Sequence, residues 1–184
     1  KRSGLFRKGR IMLKTAQDHP AVYVGTYRKY NNGSLRGAWV NLSEFSTKSE
    51  FYDHIQQLHA DEDDPEYMFQ DYENFPSCFY GESWLDERLW VWLNLDADNR
   101  KICTLYFEQV NQEGTIEDAL ENFRGTFESK ESYAREFLED CGSLSNLSEE
   151  LRWFFDFEAY TDNLEISGDV TFVEQGGSTL VFSA

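Results

Sequence analysis

Residues 60–75 read ADEDDPEYMFQDYENF, and seven of the first fourteen are carboxylates: Asp61, Glu62, Asp63, Asp64, Glu66, Asp71 and Glu73. None of the sixteen is Lys or Arg, yet Tyr67, Phe69, Tyr72 and Phe75 are threaded through them. YMFQDY (67–72) reads as a strand, with the acidic cluster just before it. Upstream, AVYVGTY (21–27) alternates and is rich in β-formers, which predicts a strand. YNNGSL (30–35) supplies a turn, because Asn and Gly tolerate positive φ. LRGAWVNL (35–42) reads as the returning strand, so 21–42 is expected to form a β-hairpin with 67–72 as a third strand. Between them, Thr47 followed by Glu50 is a capping-box signature. Behind it Phe51, Tyr52, Ile55, Leu58 and His59 fall on one helical face.

The middle of the chain is ambiguous by residue type. Ser83 and Asp86 could start a helix through WLDERLWVWLNL, but LWVWLNL and KICTLYFEQV (101–110) also suit strands. Thr115 and Asp118 mark another helix start. In SKESYAREFLEDCG (129–142), Tyr133, Phe137 and Cys141 recur every four residues and Gly142 fits the stop. Ser148 can cap a helix through EELRWFFDFEAYTDNL, whose apolar content exceeds one amphipathic stripe. DVTFVE (169–174), the turn QGGS and TLVFSA close the chain as a second hairpin. The expected class is α+β. The expected organisation is a basic leader (1–20), an N-terminal α+β domain (21–75), a helical middle (76–122) and a C-terminal α+β domain (123–184).

Composition narrows the function. Aromatics make up 16% of 184 residues, far too many for a disordered acidic chain. No run approaches the roughly 18 apolar residues of a membrane span. Residues 1–20 hold six basic residues and one acid; the remaining 164 hold 11 basic and 33 acidic residues, a net of −22. The leader has no long apolar stretch and no small-residue cleavage site, and reads as a disordered tail or an appended segment rather than a secretory signal. A field of the sign carried by the rest repels nucleic acid and anionic membrane and attracts basic protein surfaces. Cys78, Cys103 and Cys141 are far apart with no C-x-x-C, as expected of reduced thiols in the cytoplasm.

Catalytic and metal motifs are missing from the sequence. His54 and His59 are five residues apart, on different helix faces, and no H-E-x-x-H occurs. DADNRK (96–101) opens like a calcium loop but lacks Gly at its sixth position and has Phe107 at its twelfth. With 34 acids some pair will sit at a glycosidase-like distance by chance, so paired carboxylates carry little signal. Solubility accounts for a net charge of magnitude about 2 to 8 in a domain this size, well short of −22. At roughly one negative charge per 1.7 Å of B-DNA axis, 22 charges correspond to roughly 37 Å, or about 11 base pairs. An acidic protein on that scale could occupy the DNA groove of a DNA-binding enzyme, its aromatic framework holding the carboxylates at fixed spacing.

PAVYVGTYRKYNNGSLRGAWVNL (20–42), DPEYMFQDYENFP (64–76), SKESYAREFLED (129–140) and LRWFFDFEAYTDNLEISGDVTFVE (151–174), in this order, resemble the ArdA antirestriction proteins. The resemblance implies a DNA mimic borne on mobile genetic elements that blocks type I restriction-modification enzymes. It implies an elongated homodimer of three small domains per chain, a helical middle, no catalysis and no cofactor. It places the family's antirestriction motif on LSNLSEELRWFFDFEAY (144–160), near the dimer contact. Leu144, Leu147, Leu151, Trp153, Phe154, Phe155, Phe157 and Tyr160 are therefore expected to form core plus dimer interface. The expected phosphate surrogates are Asp61, Glu62, Asp63, Asp64, Glu66, Asp71, Glu73, Glu82, Asp86, Glu87, Asp96, Asp98, Glu117, Asp118 and Glu121. The alternative is an acidic interaction module for another basic or DNA-binding partner.

Overall fold

The computed structural model describes residues 19–183; the reading of the basic leader therefore falls, through residue 18, outside the described residues. Strand β1 (Ala21–Thr26) is the centre of an antiparallel sheet, between β2 (Ala38–Asn41) and β3 (Tyr67–Glu73). Its central position explains why Val22 and Val24 are fully buried. β3 carries one extra residue against β1: Tyr23 pairs with Asp71 and Val24 with Phe69, which leaves Gln70 bulged.

The link from β1 to β2 differs from the expected tight turn. Thr26 accepts a hydrogen bond from Lys29 N and caps a short helix, α1 (Tyr27–Asn31). The returning strand starts only at Ala38, and Gly37 before it lies hard against β1: a Cβ there would meet Val24 O at 2.3 Å. Helix α2 (Lys48–Leu58) starts where expected, with Thr47 Oγ1 accepting from Glu50 N. The capping box is only half made, since the Glu50 carboxylate accepts from Ser46 N instead. Phe51, Ile55 and His59 point inward, whereas Leu58 is 38% exposed.

The middle is helical. A two-strand ribbon, β4 (Tyr80–Gly81) and β5 (Trp84–Leu85), turns at Glu82 and Ser83 and is tied to β3 by Phe69 N donating to Glu82 O at 2.7 Å. Asp86 then caps α3 (Glu87–Leu93), Asp96 caps α4 (Ala97–Gln109) and Thr115 caps α5 (Ile116–Glu121) in a full capping box with Asp118. Leu89, Trp90 and Trp92 are buried and Val91 is half exposed. That pattern does not alternate, which is why LWVWLNL settles as helix and not strand.

The last third holds a strand the sequence reading missed, β6 (Phe123–Phe127). It pairs with β8 (Ser178–Ser183), which also pairs with β7 (Val170–Gln175) in the anticipated hairpin. Gly176 and Gly177 both have positive φ, as a two-residue hairpin turn requires. Phe123 pairs with Phe182 and Gly125 with Val181, so Arg124 is bulged out of β6. Helix α6 (Lys130–Asp140) is capped by Ser129 and ends at left-handed Gly142. Tyr133 is buried but Phe137 and Cys141 are exposed, because a four-residue step drifts round a 3.6-residue helix. The expected single helix after Ser148 is two: α7 (Glu149–Arg152) and α8 (Phe157–Ser167). Asp156 accepts from Ala159 N at 2.9 Å, starting a new helix and leaving Trp153–Asp156 outside either one.

One core runs from Val22 and Phe69 through Phe79 and Phe107 to Leu180 and Phe182. Ring contacts carry it: Phe51 on Trp90 (5.4 Å), Phe79 on Phe107 (4.9 Å) and Tyr106 on Phe182 (5.7 Å). Smaller cores surround Tyr133 and Phe172, and Leu138, Leu144 and Phe157. Among the described residues, no helix is long and apolar enough to cross a membrane.

Candidate functional site

The acidic loop 60–66 sits between α2 and β3 and is fastened from beneath. Lys29 Nζ lies 2.7 Å from Asp61 Oδ1, 2.9 Å from His59 Nδ1 and 3.5 Å from Glu62 Oε1. Thr26 Oγ1 donates to Glu62 Oε1 at 2.7 Å. Glu62 is only 9% exposed, which removes it from the predicted outer surface: its carboxylate serves the hydroxyl and ammonium that hold the loop. His59, Asp61 and Glu62 bring three ligand atoms within 4.8 Å of one another, and the Lys29 ammonium is the cation they share. Burial, then Lys29, pushes the His59 pKa below its ordinary value, and the hydrogen bond from Lys29 pulls Asp61 down. With Glu62 and the ammonium turned inward, Asp63, Asp64 and Glu66 remain exposed around the loop.

A second set of predicted carboxylates stands at helix N-termini. Asp86 and Asp96 cap α3 and α4; Glu87, Asp98, Glu117 and Asp118 occupy first turns. Unpaired N–H groups and the positive end of the helix dipole favour negative charge there by about 0.3–1 kcal/mol per residue. That placement offsets part of the repulsion in a chain this acidic. The pKa falls for Asp86 through its hydrogen bonds from Arg88, for Asp96 through Asn99 N–H, and for Asp118 through Thr115 N–H.

Several of the cations face inward. Arg88 grips both oxygens of Asp86 (3.0 and 2.8 Å), donates to Gln112 O and Gly114 O, and stacks over Phe79 and Phe107. Arg100 donates to Leu93 O and Leu95 O and stacks over Trp92. Lys48 is spent on Glu87 and Lys130 on Glu165. Asp63, Asp64, Glu66, Glu82, Asp98, Glu117 and Glu121 are left exposed with no ion pair to another described residue. Asp71, Glu73 and Asp86 are half-buried. The sequence reading followed runs of acid and so passed over the scattered ones: all thirteen carboxylates between residues 123 and 183 are exposed, against four basic residues.

The aromatic segment divides in two. Leu144 and Phe157 are buried with Ala134 and Leu138, and Leu147, Phe155 and Tyr160 pack against them. Leu151, Trp153 and Phe154 point out, with Trp153 85% and Phe154 80% exposed. Trp153 and Phe154 lie in the connection before Asp156, outside either helix, and Leu151 lies in the four-residue α7.

No curated protein matches the chain. A family model described as antirestriction protein (ArdA) matches residues 22–179, from the central strand β1 to the closing hairpin and through both the acidic loop and the divided aromatic segment. The chain belongs to the ArdA antirestriction family.

Proposed function

We propose that this chain blocks type I restriction-modification enzymes by occupying their DNA-binding groove as a polyanion, and that it acts as a homodimer in the cytoplasm without catalysis or cofactor. One observation carries the reading: Arg88, Arg100 and Lys29 are turned inward onto carbonyls, rings and carboxylates, while Asp63, Asp64 and Glu66 of the loop and Asp98 and Glu117 at helix N-termini face solvent with no ion pair to another described residue. The surface that results is negative and is held in place by hydrogen bonds.

A groove that binds duplex DNA gains from counterion release, and a polyanionic protein gains in the same way. Carboxylates present no base edges, so the competition is indifferent to the enzyme's recognition sequence. The proposed surrogates are the predicted acids other than Glu62, with Asp63, Asp64, Glu66, Glu82, Asp98, Glu117 and Glu121 foremost. The exposed Leu151, Trp153 and Phe154 form the proposed contact between copies, because apolar groups clustered at that exposure mark an interaction surface.

The test is to titrate the protein into a type I methyltransferase bound to labelled duplex DNA. Displacement is expected near one dimer per enzyme, equally for duplexes with and without the recognition sequence. A ternary complex that retains the DNA would contradict the proposal.

A further inference from the structure

A groove of about 570 Å3 opens between β6, α6 and α8, away from the acidic loop. Its wall is aromatic. Tyr133 meets Phe127 edge-on at 5.1 Å and Phe137 nearly parallel at 5.8 Å, and Tyr160 lines the α8 side. Tyr133 is buried over most of its ring and Tyr160 is half-buried, both line the groove, and the hydroxyl of neither makes a hydrogen bond to another described residue.

The charges at the groove are unbalanced. Glu136 and Asp140 stand one turn apart on α6, with no ion pair to a described residue, and Asp169 joins them before β7. One cation faces these three: Arg124, displaced by the β6 bulge, whose guanidinium donates to Ser183 Oγ at 2.7 Å. Phe137 is 40% exposed, so part of its ring is open to whatever enters. The same chain already places guanidiniums over rings at Arg88 on Phe79 and at Arg135 on Phe157, at 5.2 and 4.2 Å.

We propose that this groove receives an arginine side chain of the basic partner protein. A guanidinium satisfies every feature at once. Its plane lies against an aromatic ring, its N–H groups reach the phenol oxygens, and its fork matches the carboxylates. Lysine is a more strongly hydrated point charge and suits a ring wall less well. The inference rests on the polyanion reading for its partner, but adds to distributed charge a discrete pocket that a backbone of phosphates does not have.

Phe137→Leu separates the two, because it removes a ring and keeps every charge. Affinity for the type I methyltransferase, read as displacement of labelled duplex, is expected to fall about tenfold, while its dependence on salt stays that of the unaltered protein. In the unaltered protein, N-acetyl-arginine amide is expected to move the ring resonances of Tyr133 and Tyr160, and the uncharged N-acetyl-citrulline amide is not. Full affinity in Phe137→Leu, or equal shifts with the two amides, would overturn the assignment. So would a change in oligomer mass on Phe137→Leu, which would put the ring at the contact between copies. If the unaltered protein displaces no DNA, the competition reading fails; the arginine-against-citrulline shifts then decide the groove alone.

Discussion

Residues 60–75 and residues 148–160 solve opposite problems with the same residue types. In the first stretch Phe69 and Phe75 are buried and Asp63, Asp64 and Glu66 are exposed. In the second, Trp153 and Phe154 are among the most exposed large side chains, while Phe157 is buried. Charge turned outward over aromatic rings suits a partner of opposite charge in water. Rings turned outward suit a surface that will be covered. The difference comes from anchoring. Lys29, Thr26 and His59 fasten the acidic loop, whereas the exposed rings lie in a break between two helices, one of them only four residues long.

The largest effect is expected where rings face water. Trp153→Ala with Phe154→Ala should halve the mass seen by light scattering at micromolar concentration and weaken inhibition by at least tenfold. Folding stability should stay within about 0.5 kcal/mol, because both side chains are exposed. A double variant that remains a fully active dimer would remove the contact from this segment.

Next comes the inward cation. Arg88→Met should lower unfolding stability by about 2 kcal/mol, through lost charge-assisted hydrogen bonds to Asp86 and to two carbonyls. It also makes the chain one charge more negative, so competition per folded molecule should hold or improve. Weaker competition at full folding would show that this arginine acts at the surface.

Neutralising Asp63, Asp64 and Glu66 together, as amides, should weaken competition about tenfold and flatten its salt dependence, with each single change worth about twofold or less. Stability should be unchanged or higher, since like charges are removed. A single change such as Asp63→Asn that abolished inhibition would contradict a distributed surface.

The smallest effect is with pH. The His59 pKa is held below its ordinary 6.5, so the unfolded chain takes up a proton before the folded chain does. Its contribution is therefore fully present above pH 6.5 and is lost as pH falls through the depressed folded value. Asp61, Asp96 and Asp118, held below 3.8, add a second loss at lower pH still. Denaturant midpoints measured down this range should decline, and His59→Gln should flatten the first step but leave the second.

What the sequence made legible was local chemistry. Thr47, Thr115 and Ser148 each cap a helix, because an N-cap needs only its own hydroxyl and an N–H two or three residues on. The closing hairpin followed from Gly176 and Gly177 in the same way. Distant pairings were not legible. Lys29 reaches Asp61 across 32 residues, so nothing near Glu62 announced that it would turn inward. β6 is only five residues, and its alternation of Phe123, Gly125 and Phe127 with Arg124 and Thr126 is too short, and too weakened by the central glycine, to announce a strand. The strand-or-helix question over LWVWLNL was decided by burial against Phe51 and Phe79, which residue type alone does not contain. Asp156 was read as one more acid within a helix when it is the cap of a new one, and with that break went the exposure of Trp153 and Phe154.

The most direct test of the account is the salt dependence of binding between this protein and a type I methyltransferase, measured beside that of duplex DNA on the same enzyme. If outward carboxylates stand in for phosphates, log affinity falls linearly and steeply with log salt for both ligands, and each excludes the other. Binding that is indifferent to salt, or an enzyme that holds both at once, would contradict it.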